Sequence, residues 1–288
     1  MSDKLNHLLC FGFGFSCRVL ATGLPRDQWT ITGTSRSAEG CENITQLGFD
    51  AARFNEDTPL DRALLDKATH VIVSIPPGKA GDLVVKLHGS DLAQRAGHIK
   101  WLAYLSTTGV YGDRQGGWVD ETSLLEPGTL RGAARLAAET AWLELWREAG
   151  LAVHLFRLAG IYGPGRNQLQ SLKTGKARRI VKQDQVFSRI HVADIAGILH
   201  ASMDRPNPGS AYNVCDDEAA PPQDVVAYAA DLLGIDPPPE VAFEQADMSD
   251  MAKSFYAESK RVSNEKVKTE LDYRFAYPTY REGLQALL

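Results

Sequence analysis

Six short apolar segments, separated by stretches that mostly have a helical pattern, dominate the first half of the chain. They cover residues 7–11, 29–35, 49–54, 69–75, 100–106 and 152–158. Their Val, Ile and Leu residues do not alternate cleanly with polar residues, which indicates strands buried on both faces. Such strands, joined by crossover helices, form a parallel sheet. The pattern therefore predicts an α/β fold with a Rossmann-like, doubly wound parallel sheet.

The second half of the chain has shorter apolar segments and more loops. Its predicted elements include a short strand near 187–191 that runs directly into a helix, a strand over 211–214 and a helix over about 221–233. These short segments and loops predict a smaller C-terminal α/β lobe. We therefore expect a Rossmann domain over 1–160 and the lobe over 161–288, with segments within about 187–215 returning to the Rossmann sheet.

Composition narrows the partners that such a chain can have. The formal net charge of −5 over 288 residues gives no reason to expect binding to nucleic acid or to an anionic membrane. No apolar stretch approaches the ~20 residues that cross a bilayer. The four cysteines show no C-x-x-C spacing, which predicts reduced thiols and no metal site. We expect a cytoplasmic protein.

Two glycines stand between the first predicted strand and the first predicted helix. Gly12 and Gly14 allow a tight turn and a close approach to a pyrophosphate, which would sit on helix N-terminal amides such as those of Phe15 and Ser16. Cys17 occupies the third position of the G-x-G-x-x-G pattern. The alternative interpretation is a tight turn without a ligand.

The end of the second predicted strand indicates which dinucleotide would bind. A free ribose 2′-hydroxyl calls for Asp or Glu there, whereas a 2′-phosphate calls for Arg. This chain has Ser35, Arg36 and Ser37 at that point, and no carboxylate before Glu39. The residues therefore favour NADP over NAD. A solvated arginine at a strand end is the alternative.

Five motifs in order then carry a resemblance to a known family. They are YLSTTGVYGD (104–113), FRLAGIYGPGR (156–166), FSRIHVADIA (187–196), AYNVCDDE (211–218) and SKRVSNEKVKTEL (259–271). With them the chain resembles the short-chain dehydrogenase/reductase superfamily, and most closely its extended branch of nucleotide-sugar epimerases and dehydratases. The resemblance implies a small-molecule substrate bound by the C-terminal lobe. We also expect Ser74 and Ile161 to contact the cofactor.

The resemblance places Thr107 at the catalytic Ser or Thr of the family, where its hydroxyl would bind a substrate oxygen. On the next helix the family carries Y-x-x-x-K, but this chain has Arg131 and Arg135 in those places. A guanidinium stays protonated and cannot act as a general acid or base at neutral pH. Arg135 can still bind a ribose hydroxyl, and Arg131 can bind a carboxylate or phosphate. The alternative is an exposed Arg135–Glu139 pair beside a solvated Arg131.

Three more residues are candidates for the substrate site. Tyr111 and Tyr162 lie in loops at the sheet edge, where either replaces the missing phenol or packs against the cofactor. Arg189 stands where several family members contact an anionic substrate. Thr108 and Gly109 occupy the places of the Asp-Glu pair of the family's dehydratases, which argues against a 4,6-dehydratase.

Three functions are compatible with these residues. The first is an NADP-binding oxidoreductase or epimerase-like enzyme for an anionic, nucleotide-sugar-like substrate. The second is a catalytically silent NADP-binding protein that senses redox state or regulates a partner. The third is an isomerase that uses its cofactor only structurally. Family members often dimerise through a helix corresponding to 129–149, so a homodimer is a further expectation.

Overall fold

The computed structural model describes residues 5–288, apart from the side chain of Met251. Its strands are β1 (Asn6–Phe11), β2 (Trp29–Ser35), β3 (Asp50–Arg53), β4 (His70–Val73), β5 (Trp101–Thr107), β6 (Trp118–Val119), β7 (Val153–Leu158), β8 (Gly160–Tyr162), β9 (Arg179–Val181), β10 (Arg189–His191), β11 (Ala211–Val214), β12 (Glu240–Ala242) and β13 (Arg261–Val262). Its helices are α1 (Phe15–Gly23), α2 (Ala38–Gln46), α3 (Arg62–Lys67), α4 (Leu83–Ala93), α5 (Leu130–Ala149), α6 (Gln168–Lys173), α7 (Val192–Asp204), α8 (Pro222–Leu232), α9 (Asp250–Tyr256), α10 (Glu265–Glu270) and α11 (Tyr280–Gln285).

Seven strands form one sheet in the order β11-β7-β5-β4-β1-β2-β3. The strand pairs β5–β4, β4–β1, β1–β2 and β2–β3 are all parallel. Cys10 of β1 is opposite Gly33 of β2 on one side and Ile72 of β4 on the other. The strand order reverses at β1, which makes the carboxyl ends of β1 and its two neighbours the expected place for a ligand. The predicted doubly wound α/β fold is confirmed.

The described residues fall into two compact units that interleave along the chain. The first comprises the described part of Met1–Ser106, with Ala134–Arg157 and Ala196–Tyr212, and the second comprises Thr107–Ala133, Leu158–Ile195 and Asn213–Leu288. The boundary at residue 160 that the sequence predicts stays a prediction.

Burial on both faces of the strands explains the core of the first unit. Leu9, Val71, Val73 and Leu102 on the central strands are fully buried, and Trp142 of α5 packs in the same cluster. At about 25 cal/mol per Å² of buried apolar surface, residues of this size each stabilise the fold by roughly 1.5–3 kcal/mol. These residues account for the non-alternating apolar segments in the sequence.

The second unit contains three two-stranded pairs, β8 with β10, β9 with β12 and β6 with β13. Its own core includes Leu169, Val225, Tyr280 and Leu284. The predicted strand that runs directly into a helix is confirmed, because β10 ends at His191 and α7 begins at the next residue. Within residues 5–288 no helix is long and apolar enough to cross a membrane.

Candidate functional site

The predicted glycine loop connects β1 to α1 in the first unit. Gly12 has a φ of 87°, in the left-handed region that favours glycine. Its amide donates a hydrogen bond of 2.8 Å to Thr34 Oγ1, and the Ser74 hydroxyl donates one of 3.1 Å to its carbonyl. A Cβ at Gly12 would lie 2.7 Å from Ser74 Oγ. The turn therefore requires glycine, and two side chains hold its conformation.

The N-terminus of α1 is open. Gly14 is the N-cap residue, and no side chain caps this end of the helix. A Cβ at Gly14 would meet no atom within 4 Å, so the fold itself does not require glycine there. The amides of Phe15 and Ser16 are among the first N–H groups of the helix, which have no acceptor within it. This helix end can receive the pyrophosphate of a dinucleotide.

A pocket of about 240 Å³ lies beside the end of β2 in the first unit. It is lined by Phe13, Arg18, Thr34, Ser35, Gly40, Asn43, Ile44 and Leu47. Its lining includes a guanidinium, hydroxyls and an amide, but no carboxylate. Within the described part of the chain, the Arg18 guanidinium forms no hydrogen bond or ion pair. The chemistry of this pocket suits an anionic group.

Arg36 follows β2 directly, and its side chain is exposed and does not line the pocket. Ser37 caps α2 by accepting a hydrogen bond of 3.1 Å from the Gly40 amide, and Ser35 Oγ accepts one of 3.4 Å from the Ser37 amide. Sequence reasoning does not single out Arg18. The signal that points to it is a cation on the first turn of the helix, directly after the third position of the glycine pattern.

Arg135 binds the strand beside its helix, within the first unit. Its Nη1 donates hydrogen bonds to the carbonyl of Leu105, over 2.6 Å, and to the hydroxyl of Tyr104, over 3.2 Å. Tyr104 is fully buried, and burial raises the pKa of its hydroxyl far above the usual value while the charge of Arg135 opposes the rise. Within residues 5–288, Nε and Nη2 of Arg135 have no hydrogen-bond acceptor. These groups remain able to donate to a ligand.

Glu139 is the centre of a buried ion pair in the first unit. Its side chain is 2% exposed and accepts hydrogen bonds from Arg157, the shortest over 2.8 Å from Nη2. The Ser106 hydroxyl donates a further bond of 2.5 Å to Oε1. The alternative of an exposed Arg135–Glu139 pair is therefore wrong, because Glu139 faces the sheet and binds a different arginine.

Thr107 is the N-cap residue of a 3-10 turn, Thr108–Tyr111, in the second unit. Its Oγ1 accepts a hydrogen bond of 3.2 Å from the Gly109 amide. A Cβ at Gly132, on the first turn of α5, would lie 2.7 Å from the Gly109 carbonyl oxygen, so this helix packs tightly against the turn. The half-buried hydroxyl keeps its proton free to donate. The geometry can present that proton to an oxygen of a ligand.

The two candidate phenols in the second unit bind other residues. Tyr111 is fully buried, and its hydroxyl donates a hydrogen bond of 2.7 Å to Asn213 Oδ1. The Tyr162 hydroxyl donates one of 3.4 Å to the carbonyl of Thr279, and burial raises its pKa far above the usual value. Both hydroxyl protons are engaged inside the protein, and a role for either phenol in place of the family's Tyr stays a prediction.

A group of cations and aromatic rings lies around Arg189 in the second unit. Arg189 Nη1 donates to the carbonyls of Phe187 and Ala220, over 2.8 and 3.1 Å. The Lys182 ammonium donates to the carbonyl of Tyr256. Burial raises the pKa of nearby Asp216 to about 8, and the charge of Arg189 opposes the rise. Arg189 and Lys182 are the two cations of this group.

Two further predicted site residues, Ile161 and Arg131, lie in the second unit. Ile161 lies on β8 opposite Ile190 of β10. The neighbouring His191 of β10 is buried, its Nδ1 accepts a hydrogen bond from the Ala193 amide over 3.2 Å, and burial lowers its pKa to about 4. Arg131 is exposed and contacts α9. Among the described residues, no group of three or more His, Cys, Asp or Glu side chains is arranged to hold a metal ion.

Comparison with protein families and curated proteins adds two findings. Residues 89–215 match the NAD dependent epimerase/dehydratase family. Protein YeeZ of Escherichia coli (strain K12) is 29% identical to this chain over 283 residues, which cover 93% of this chain and 94% of that protein.

Solved structures are similar over nearly the whole length. A functionally unknown conserved protein from Silicibacter pomeroyi DSS is 49% identical, with a TM-score of 0.90 and 98% of each chain covered. A dTDP-glucose 4,6-dehydratase from Bacillus anthracis str. Ames in complex with NAD is 19% identical, with a TM-score of 0.78 and 98% of this chain and 95% of that chain covered. A UDP-glucuronic acid 4-epimerase from Bacillus cereus in complex with UDP-glucuronic acid and NAD is 18% identical, with a TM-score of 0.75, and 98% and 97% of the chains covered. The two enzymes share the fold of this chain.

Proposed function

We propose that the protein is an NADP-binding oxidoreductase or epimerase-like enzyme for an anionic, nucleotide-sugar-like substrate, because residues 89–215 match the NAD dependent epimerase/dehydratase family. The observation that carries the proposal is the pocket beside β2, which offers Arg18 and Ser35 but no carboxylate. The open N-terminus of α1 supports it as the place for the pyrophosphate.

The choice of NADP over NAD depends on charge. A ribose 2′-phosphate is a dianion and is stabilised by guanidinium groups, whereas a free 2′-hydroxyl is best bound by a carboxylate acceptor. Arg18 lines the pocket, and Arg36 stands at the end of β2 with an exposed side chain. Neither guanidinium forms an ion pair with another described residue, so both remain available for the phosphate.

Titration with NADPH and NADH tests this cofactor assignment. We expect wild-type protein to bind NADPH more tightly than NADH. Arg18→Ala and Arg36→Ala should each weaken NADPH binding by about 10- to 100-fold, the loss of one charged hydrogen bond of roughly 1.5–3 kcal/mol. NADH affinity should change little. Arg147→Ala, which removes an exposed arginine from α5, is the control. Tighter binding of NADH by wild-type protein would contradict the assignment.

The residues of each unit have a proposed role in the chemistry. When bound, the nicotinamide supplies the hydride acceptor or donor for the substrate. Thr107 would donate its hydroxyl proton in a hydrogen bond to the substrate oxygen that reacts. Arg135 would bind a ribose hydroxyl through its free Nε and Nη2 donors, as the family's Lys does. Arg189 and Lys182 would neutralise the negative charge of the substrate.

A catalytically silent NADP-binding protein is the second candidate, and the engaged phenols of Tyr111 and Tyr162 favour it. The double variant Arg131→Tyr/Arg135→Lys restores the family pair and separates the two candidates. The assay adds UDP-glucuronic acid to the protein with bound cofactor and follows the absorbance at the nicotinamide band. Activity that appears only in the double variant would support the silent protein. Activity in wild-type protein that the double variant loses would support the enzyme.

A further inference from the structure

Arg131 makes its contacts with one short helix of the second unit. Its Nη2 donates a hydrogen bond of 2.8 Å to Ser254 Oγ, and its guanidinium carbon lies 4.8 Å from the ring centroid of Phe255. Both residues belong to α9. Phe255 is 55% exposed even with this contact. A planar guanidinium is suited to this combination, because it stacks on an aromatic face and donates in its own plane.

Helix α9 depends on such contacts for its position. It has seven residues, and isolated helices shorter than about 12 residues are marginal in water. One end is tied at Tyr256, whose carbonyl accepts a hydrogen bond from Lys182 and whose ring lies 5.4 Å from the ring of Phe187 and 5.4 Å from that of Phe243. The neighbouring residues Ser254 and Phe255 are held by the hydrogen bond and the ring contact of Arg131.

The Tyr256 end of α9 borders the cations that would bind substrate. Burial raises the pKa of the Tyr256 hydroxyl while the charge of Arg189 opposes the rise, which makes Arg189 an electrostatic neighbour of this phenol. The Lys182 ammonium lies 5.3 Å from the ring centroid of Phe243 as well as on the Tyr256 carbonyl. A shift of α9 would therefore change the surroundings of both cations.

We propose that Arg131 is a positioning residue for the anionic substrate: it clamps α9 and thereby holds Tyr256 beside Lys182 and Arg189. The proposal rests on the proposed function for the existence of an anionic substrate in this unit. In this proposal, the residue at the position of the family's Tyr organises the binding site and does not transfer a proton. Arg131 acts through α9 and does not touch the ligand.

A double-mutant cycle on the full-length protein with saturating NADPH tests the clamp. The probe is UDP-glucuronic acid, and its dissociation constant is measured by calorimetry. Arg131→Ala should weaken binding of the probe about tenfold, and Ser254→Ala/Phe255→Ala should do the same. Adding Arg131→Ala to the Ser254→Ala/Phe255→Ala variant should have no further effect, because the clamp is already absent. An additional tenfold loss would show that Arg131 contacts the ligand, and would overturn the proposal.

Hydrogen exchange of the amides of residues 250–257 is the second readout. Arg131→Ala should speed this exchange at least fivefold, Arg131→Lys should do so partly, and the control Arg147→Ala should leave it unchanged. NADPH affinity should stay within twofold in all variants. Unchanged exchange in Arg131→Ala would overturn the clamp even if the probe binds. If wild-type protein does not bind the probe, the substrate class of the proposed function fails, and the exchange experiment still decides the clamp.

Discussion

Replacing Arg157 by methionine is expected to lower the free energy of unfolding by about 3–5 kcal/mol. The substitution keeps an unbranched apolar stem but leaves the Glu139 carboxylate, which is 2% exposed, without its cation. The Ser106 hydroxyl donates only one hydrogen bond to that carboxylate. An uncompensated buried charge therefore dominates the cost. Urea unfolding followed by circular dichroism measures the change.

Two further variants isolate the reason for this loss. Glu139→Leu/Arg157→Met removes both charges and should recover most of the stability, because the desolvation cost disappears with the carboxylate. Lys86→Met removes the cation of an exposed pair, in which the side chains of Lys86 and Glu56 are 48% and 69% exposed, and should cost less than about 1 kcal/mol. Equal losses in Arg157→Met and Lys86→Met would show that burial of the pair is not what matters.

Gly14→Ala is expected to abolish high-affinity binding of NADPH, with a loss of at least 100-fold, and to leave the fold intact. The added Cβ meets no protein atom within 4 Å and Gly14 has a negative φ of −82°, so folding is not impaired. The methyl group instead occupies the space in front of the first amides of α1, where the pyrophosphate would bind. Fluorescence titration with NADPH gives the affinity, and thermal unfolding without cofactor gives the stability.

Gly23→Ala is the matched control for this variant. A Cβ at Gly23, at the other end of the same helix, also meets no atom within 4 Å. It should leave the free energy of unfolding nearly unchanged and should change the NADPH affinity by less than a factor of two. If Gly14→Ala binds NADPH as tightly as wild-type protein, the glycine loop is a tight turn without a ligand.

Local patterns in the sequence are sufficient for the sheet and for the glycine turn. The six predicted strands correspond to β1, β2, β3, β4, β5 and β7. Five of them are mostly buried, which calls for apolar residues on both faces, whereas the edge strand β3 is exposed at its ends and half-buried between them. Gly12 is predictable for a similar reason, since the requirement for a left-handed turn after a strand is local. Arg18 carries a weaker local signal that becomes visible once the pocket is known.

Partners that are distant in the sequence are not predictable from these patterns. Glu139 and Arg157 stand 18 residues apart, on a helix and a strand, and the sequence around Glu139 points instead to Arg135 as its partner. The contact of Arg131 with Ser254 spans 123 residues. Tyr111 reads as an accessible loop residue in the sequence, but its hydroxyl binds Asn213 in the interior. Each of these pairings is decided by tertiary packing.

The first unit is assembled from three separate stretches of chain, so it is complete only after Tyr212 has left the ribosome. Until then the outer edge of β7 has no neighbour, because β11 is the last strand of the sheet to be synthesised. At about 5–20 residues per second, the 52 residues from 159 to 210 keep that edge open for roughly 3–10 s. Unpaired strand edges associate with other chains. A gene fragment that stops near residue 160 would leave the same edge open permanently.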